Sequence, residues 1–238
     1  MKVIGRDCIR GKGFLQSILA QNTDALRLDI KQVSRGCLVV LEGIDGTGKT
    51  TLAQALGEKL SRELGEMVIV TQEPTERFEG FNELENLISD WPTGNINPAA
   101  INSLKFTLDH AIHLTDVILP ALADDRVVIC DRWTPFSSRA YQGPLASVLT
   151  QKWDIYPDIS ILLTMDPVLA LERLGNRPEG QLKCFEKLDT LRKAQEIYME
   201  LASAEPLRWW YFDALLPQEA LLDKTLKVIM STIISRRG

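Results

Sequence analysis

Cys37-Leu38-Val39-Val40-Leu41-Glu42-Gly43-Ile44-Asp45-Gly46-Thr47-Gly48-Lys49-Thr50 joins an unbroken apolar run to a glycine-rich turn that ends in a lysine and a threonine. Five apolar residues without alternation suit a parallel strand buried on both faces. Residues 43–50 fit G-x-x-x-x-G-K-[ST], in which glycines let successive backbone N–H groups turn inward around phosphate oxygens. Thr51–Leu64 then reads as a helix, with Leu52, Leu56, Leu60 and Leu64 on one face and Gly65 as its stop. The loop thus lies between a strand and a helix N-terminus, whose dipole favours an anion. A chance match in a glycine-rich turn would lack that setting. Lys49 is expected to reach the β- and γ-phosphates of a nucleoside triphosphate, and the Thr50 hydroxyl to sit on Mg²⁺. Gly43, Gly46, Thr47, Gly48, Lys49, Thr50 and Thr51 are the expected contacts to that nucleotide.

Outward from the loop, strand-like runs alternate with helical patterns. Met67–Val70, Val127–Cys130, Ile159–Leu163 and Trp209–Phe212 read as four further strands. Ile101, Leu104, Leu108, Ala111 and Ile112 repeat at helical spacing, Ile118 and Leu122 continue the stripe, and Gln218–Ile234 reads as a closing helix. Such alternation predicts an α/β fold: a five-stranded parallel sheet with helices on both faces. Ligands of such sheets sit beyond the carboxyl ends of the strands.

The 238 residues are 45% apolar and 25% charged, as in soluble globular chains, which excludes a disordered or collagenous chain. No apolar run reaches the ~18 residues that span a bilayer. A net charge of −5 argues against general nucleic-acid binding, which needs a basic footprint. Cys8, Cys37, Cys130 and Cys184 show no C-x-x-C spacing, so a reduced, cytoplasmic setting is expected. Residues 1–36 carry a net +4 and the remainder −9. With no apolar core for a secretory signal, they read as an N-terminal extension, with a helix at Phe14–Gln21, ahead of a single domain at 37–238.

The absence of an N-K-x-D motif argues against a GTPase, and the short chain against a motor ATPase. Further motifs, in order, resemble the thymidylate kinase family. Leu41–Thr50 is similar to its first strand and phosphate loop, and Thr71-Gln72-Glu73-Pro74-Thr75 to its R-E-P-[GT] loop. Leu104-Lys105-Phe106-Thr107-Leu108-Asp109-His110 resembles the L-L-F-A-x-D-R helix. Cys130-Asp131-Arg132-Trp133 resembles D-R-[YHF], and Ala140-Tyr141-Gln142-Gly143 resembles A-Y-Q-G. Met165-Asp166-Pro167 with Ala170-Leu171-Glu172-Arg173 is similar to the D-x-P-x-x-A-L-x-R run before the lid.

The resemblance implies a three-layer P-loop fold with a mobile lid at about 173–192, and transfer of a phosphoryl group from ATP, with Mg²⁺, to a deoxynucleoside monophosphate, dTMP first among them. It implies a cytoplasmic homodimer with no nucleic acid and no membrane partner. Asp131, at the end of an apolar strand, would hold the metal with Thr50; Arg132 would grip the acceptor phosphate, ideally as a bidentate fork. Asp45 would lie near that phosphate or the 3′-hydroxyl, Phe106 would stack on the base, and Tyr141 would lie along the deoxyribose. Glu73 and His110 complete the implied acceptor site, and His110 reads equally as a hydrogen-bond donor there or as a buried structural histidine. Gly46 stands where some relatives carry a basic residue, so Arg177, with Arg173 or Lys183, would bring positive charge from the lid.

Three departures bear on the acceptor. Gln72 and His110 stand where the family has arginines, and the stretch from Asp131 to Tyr141 is one residue longer than usual and contains Pro135. Glu73-Pro74 followed by Arg77-Phe78 also resembles deoxynucleoside kinases, in which the glutamate is the base for a 5′-hydroxyl. A catalytically weak nucleotide-binding regulator is the third reading.

Overall fold

β1, Cys37–Glu42, is buried along its whole length. Cys37 to Leu41 expose no surface, the two-sided burial that the unalternating run predicts. It pairs in parallel with β3, Val127–Asp131, on one side and with β4, Ile159–Thr164, on the other. β2, Val68–Gln72, flanks β3, and β5, Trp209–Asp213, flanks β4, giving the parallel order β2-β3-β1-β4-β5. The computed structural model describes residues 34–65, 67–81, 83, 97–151, 153–175 and 187–237. The helix expected at Phe14–Gln21, most of the N-terminal extension, and Arg177 and Lys183 of the lid lie outside them.

The helices follow from the same sequence. α1, Lys49–Leu64, begins two residues before the leucine stripe predicts, and Leu52, Leu56 and Leu60 pack into the core. α2, Pro98–His113, opens where the Asn97 side chain accepts from the Ala99 N–H at 2.9 Å. The single stripe read through residues 101–122 is then interrupted by a π turn, Leu114–Ile118, before α3, Leu119–Ala123. Pro120 has no N–H to give the Asp116 carbonyl, and its ring crowds that oxygen, so the preceding turn widens. α4, Thr134–Tyr141, and α5, Leu145–Thr150, come between β3 and β4. α6, Pro167–Gly175, α7, Leu188–Ala204, and α8, Gln218–Arg237, complete the order. Among the described residues no helix is long and apolar enough to cross a membrane.

Register positions the site. Leu41 lies opposite Asp131, and Asp131 opposite Gln72. The carboxyl ends of the three strands therefore deliver Glu42, Asp131 and Gln72 to one edge. Below that edge Cys37 and Cys130 are fully buried free thiols on neighbouring strands. Burial pushes the Cys37 thiol up to about 12, and burial with the nearby Glu73 pushes Cys130 well above its usual value.

Candidate active site

A cleft of about 500 Å³ opens at this edge, lined by the 43–50 loop, the end of β2, Phe106 of α2, Asp131, Arg132 and one face of α4. Of the residues expected to act, Asp45, Gly46, Gly48, Lys49, Thr50, Thr51, Glu73, Phe106, Asp131, Arg132 and Tyr141 border this single space.

The loop is shaped by its own backbone. Thr47 Oγ1 donates to the Ile44 carbonyl at 2.9 Å, and Lys49 Nζ donates to the same oxygen at 2.8 Å. Gly46 has φ of 90°, and a Cβ there would stand 2.6 Å from the Ala170 carbonyl oxygen. The loop therefore packs directly against the backbone of α6, which is why a residue with a side chain has no room at this position. Lys49 is 6% exposed; burial, and then the neighbouring Arg132 charge, lower its ammonium to about 8.

Thr50 and Asp131 meet as the metal reading requires. Thr50 Oγ1 donates to Asp131 Oδ2 at 2.5 Å, while Asp131 Oδ1 is buried with no hydrogen-bond partner among the described residues. A buried carboxylate oxygen left open at the mouth of a phosphate loop, beside a hydroxyl, is a hard-oxygen donor set suited to Mg²⁺.

Arg132 faces Asp45 across the cleft. Its Nη2 donates to the Asp45 carboxylate in a short contact, and its Nη1 donates to the Tyr198 hydroxyl at 3.2 Å and more weakly to the Gly43 carbonyl at 3.4 Å. The Asp45 N–H donates to the Tyr141 hydroxyl at 3.0 Å, and the guanidinium lies over the Tyr141 ring at 5.4 Å. Arg132 holds φ of 74°, a left-handed backbone that only a few per cent of non-glycine residues adopt. Phe106 sits at the far end of the cleft with its ring against Phe78, centroids 4.3 Å apart.

Of the two readings of His110 the structure favours the buried structural histidine, and it gives Glu73 partners that the sequence does not predict. His110 does not border the cleft. It is fully buried, with Nδ1 2.9 Å from Glu73 Oε1 and Nε2 3.0 Å from Asp154 Oδ1, so neither ring nitrogen is left for a base. Glu73 touches the cleft floor but is 2% exposed, and its carboxylate accepts from His110, from His113 and from the Thr134 N–H at 2.7 Å. These donors hold it well below the usual carboxylate range although burial pushes the other way. A carboxylate so occupied is a poor general base, which removes the footing of the 5′-hydroxyl reading. Arg173 points elsewhere than the expected lid role: its Nη1 donates to the Ala214 carbonyl at 3.4 Å.

The sequence reading missed Glu42, Trp133, His113, Asp154, Tyr198, Ser138 and Gln142. Glu42 Oε1 accepts from the Trp133 N–H at 2.7 Å, and Trp133 Nε1 donates to Asp154 at 3.2 Å. Burial pushes Glu42 up to about 7, against the Arg132 charge. Ser138 Oγ and Gln142 Oε1 are buried beside the cleft with no hydrogen-bond partners among the described residues. Glu42, Trp133 and Gln142 lie inside motifs quoted from the sequence; the others carried no signal there.

Residues 41–225 match the family model described as thymidylate kinase. A probable thymidylate kinase of Methanosarcina mazei is 36% identical over 210 residues, 84% of this chain and 98% of its own length. A thymidylate kinase of Pelobacter propionicus is 32% identical over 189 residues, 73% of this chain and 84% of its own. The crystal structure of thymidylate kinase from Ehrlichia chaffeensis shares the fold, with a TM-score of 0.58 over 81% of this chain and 98% of that one at 24% identity.

Proposed function

Because this chain belongs to the thymidylate kinase family and phosphorylates dTMP, we propose that the cleft aligns ATP, held with Mg²⁺ on the phosphate loop, opposite dTMP held by Arg132. The observation that carries the reading is the pair of facing anion grips. Lys49 and the loop amides form one, and Arg132, braced by Asp45, forms the other. Both open into one cleft.

An oxygen of the acceptor phosphate attacks the γ-phosphorus, the bond from that phosphorus to the β–γ bridging oxygen breaks, and dTDP and ADP result. A phosphate monoester is mostly dianionic at pH 7, since its second pKa is about 6, so the attacking oxygen has no proton to lose. The protein's task is alignment and charge neutralisation. Arg132 orients the acceptor phosphate, and Asp45 holds the guanidinium in place before it binds. Lys49 and the loop N–H groups stabilise charge on the donor phosphates. Thr50 and Asp131 would hold Mg²⁺, which supplies charge stabilisation at the phosphate oxygens when bound. Phe106 offers its ring to the base, and Tyr141 lies where the sugar would pass. Arg177, in the segment after α6, is proposed to add a charge over the transferred group.

The test is a screen of common nucleoside monophosphates with ATP, read by ADP release, with thymidine offered in parallel. Turnover of dTMP well above thymidine is expected. Preference for thymidine, or ATP binding with no turnover of any monophosphate, would overturn it.

A further inference from the structure

Behind the cleft lies a charged network that none of these roles uses. Glu73 follows β2, His110 and His113 lie one turn apart on α2, and Asp154 follows α5. His110 stands between the two carboxylates, Nδ1 at 2.9 and 3.0 Å from Glu73 and Nε2 at 3.0 Å from Asp154. Ionised carboxylates only accept, so both ring nitrogens must donate and the ring is an imidazolium. Burial opposes that charge, yet Glu73 and Asp154 prevail and raise His110 to about 10. His113 joins the same network, its Nε2 2.7 Å from the Thr71 hydroxyl and its Nδ1 2.8 Å from Glu73 Oε1.

The network converges on the two residues after Arg132. Glu73 accepts from the Thr134 N–H at 2.7 Å, Asp154 from the Trp133 indole at 3.2 Å, and Glu42 from the Trp133 N–H at 2.7 Å. The His110 ring also meets the Trp133 ring edge-on at 4.5 Å. On the other side the Arg132 N–H donates to the Leu41 carbonyl at 2.9 Å. The backbone on both sides of Arg132 is thus clamped while its guanidinium reaches forward to Asp45, and its φ of 74° is a left-handed conformation that persists only where the surroundings impose it.

We propose that His110 is a positioning residue for acceptor binding: as the counter-charge of Glu73 and Asp154 it fixes Trp133 and Thr134, and through them holds Arg132 in the left-handed backbone that aims its guanidinium at the acceptor phosphate. The proposal rests on the reading of Arg132 as the phosphate grip.

The test compares His110→Gln, Arg132→Ala and the double variant, with KM and kcat measured for dTMP and ATP separately on protein shown folded by circular dichroism. His110→Gln is expected to lower kcat/KM for dTMP by ~10- to 100-fold, the size of an ångström-scale misplacement, while KM for ATP stays within about twofold. The double variant is expected to be no worse toward dTMP than Arg132→Ala alone, because His110 acts through Arg132. Losses that multiply, or an unchanged KM for dTMP with activity lost only in proportion to unfolded protein, would show a purely structural role. Near-normal dTMP kinetics in Arg132→Ala would instead overturn the phosphate-grip reading. If His110→Gln does not fold, Asp154→Asn, which weakens the same clamp at its other end, is expected to show the same selective effect on dTMP; equal loss toward both substrates would overturn the proposal.

Discussion

Arg132 and Lys49 carry opposite burdens in a small space. Arg132 keeps its charge at any working pH and spends backbone strain on its direction. Lys49 has ordinary backbone and a charge that burial makes conditional. Replacing Arg132 by Ala is expected to cost at least ~3 kcal/mol in transition-state stabilisation, a loss of more than about 100-fold in kcat/KM for dTMP. Lys49→Ala is expected to abolish turnover while thermal melting stays close to that of the parent. The pH profile follows from Lys49 at about 8: its charged form is lost as pH rises through that value. kcat/KM for ATP, which reports the free enzyme, should therefore fall above pH ~8. kcat should break at a higher pH, since bound phosphates favour the charged ammonium. A kcat/KM for ATP that is flat to pH 10 would contradict this assignment.

At the scale of elements, the contact of Gly46 with α6 couples the phosphate loop to the helix that leads into residues 176–186. Gly46→Ala must both hold φ of 90° and displace the Ala170 carbonyl. A loss of ~2 kcal/mol in urea unfolding is expected from the strained backbone, together with a raised KM for ATP. An unchanged KM would show that the loop tolerates the shift. The strands were legible because each is a short apolar run with no competing period. α4 and α5 were not, since Thr134–Tyr141 mixes Pro135, polar residues and aromatics over barely two turns. The π turn escaped notice because residues 101–122 share one apolar stripe, and only Pro120 hints that the backbone must widen. The phosphate loop, Asp131 and Arg132 were readable because their chemistry is local in sequence.

Across the whole molecule, what could not be read is what distance in the chain conceals. Glu73, His110, Trp133 and Asp154 come from four separate segments, and each alone looks like a solvated polar or a core residue. Folding turns them into one buried charge system with a pH signature. His110 rises from 6.5 to about 10, so the stability it contributes is full below pH ~6.5 and is lost as pH climbs toward 10. The melting temperature should fall over that window, and less steeply in His110→Gln; parallel slopes would place the alkaline sensitivity elsewhere. The two thiols on the central strands offer another use of the fold. With no exposed surface and proton affinities raised by burial, Cys37 and Cys130 are closed to alkylating reagents while β1 and β3 stay paired. Peptide mass mapping of iodoacetamide labelling at these two positions then becomes a clock for opening of the innermost sheet. A nucleotide that tightens the molecule should slow that clock in proportion to its occupancy.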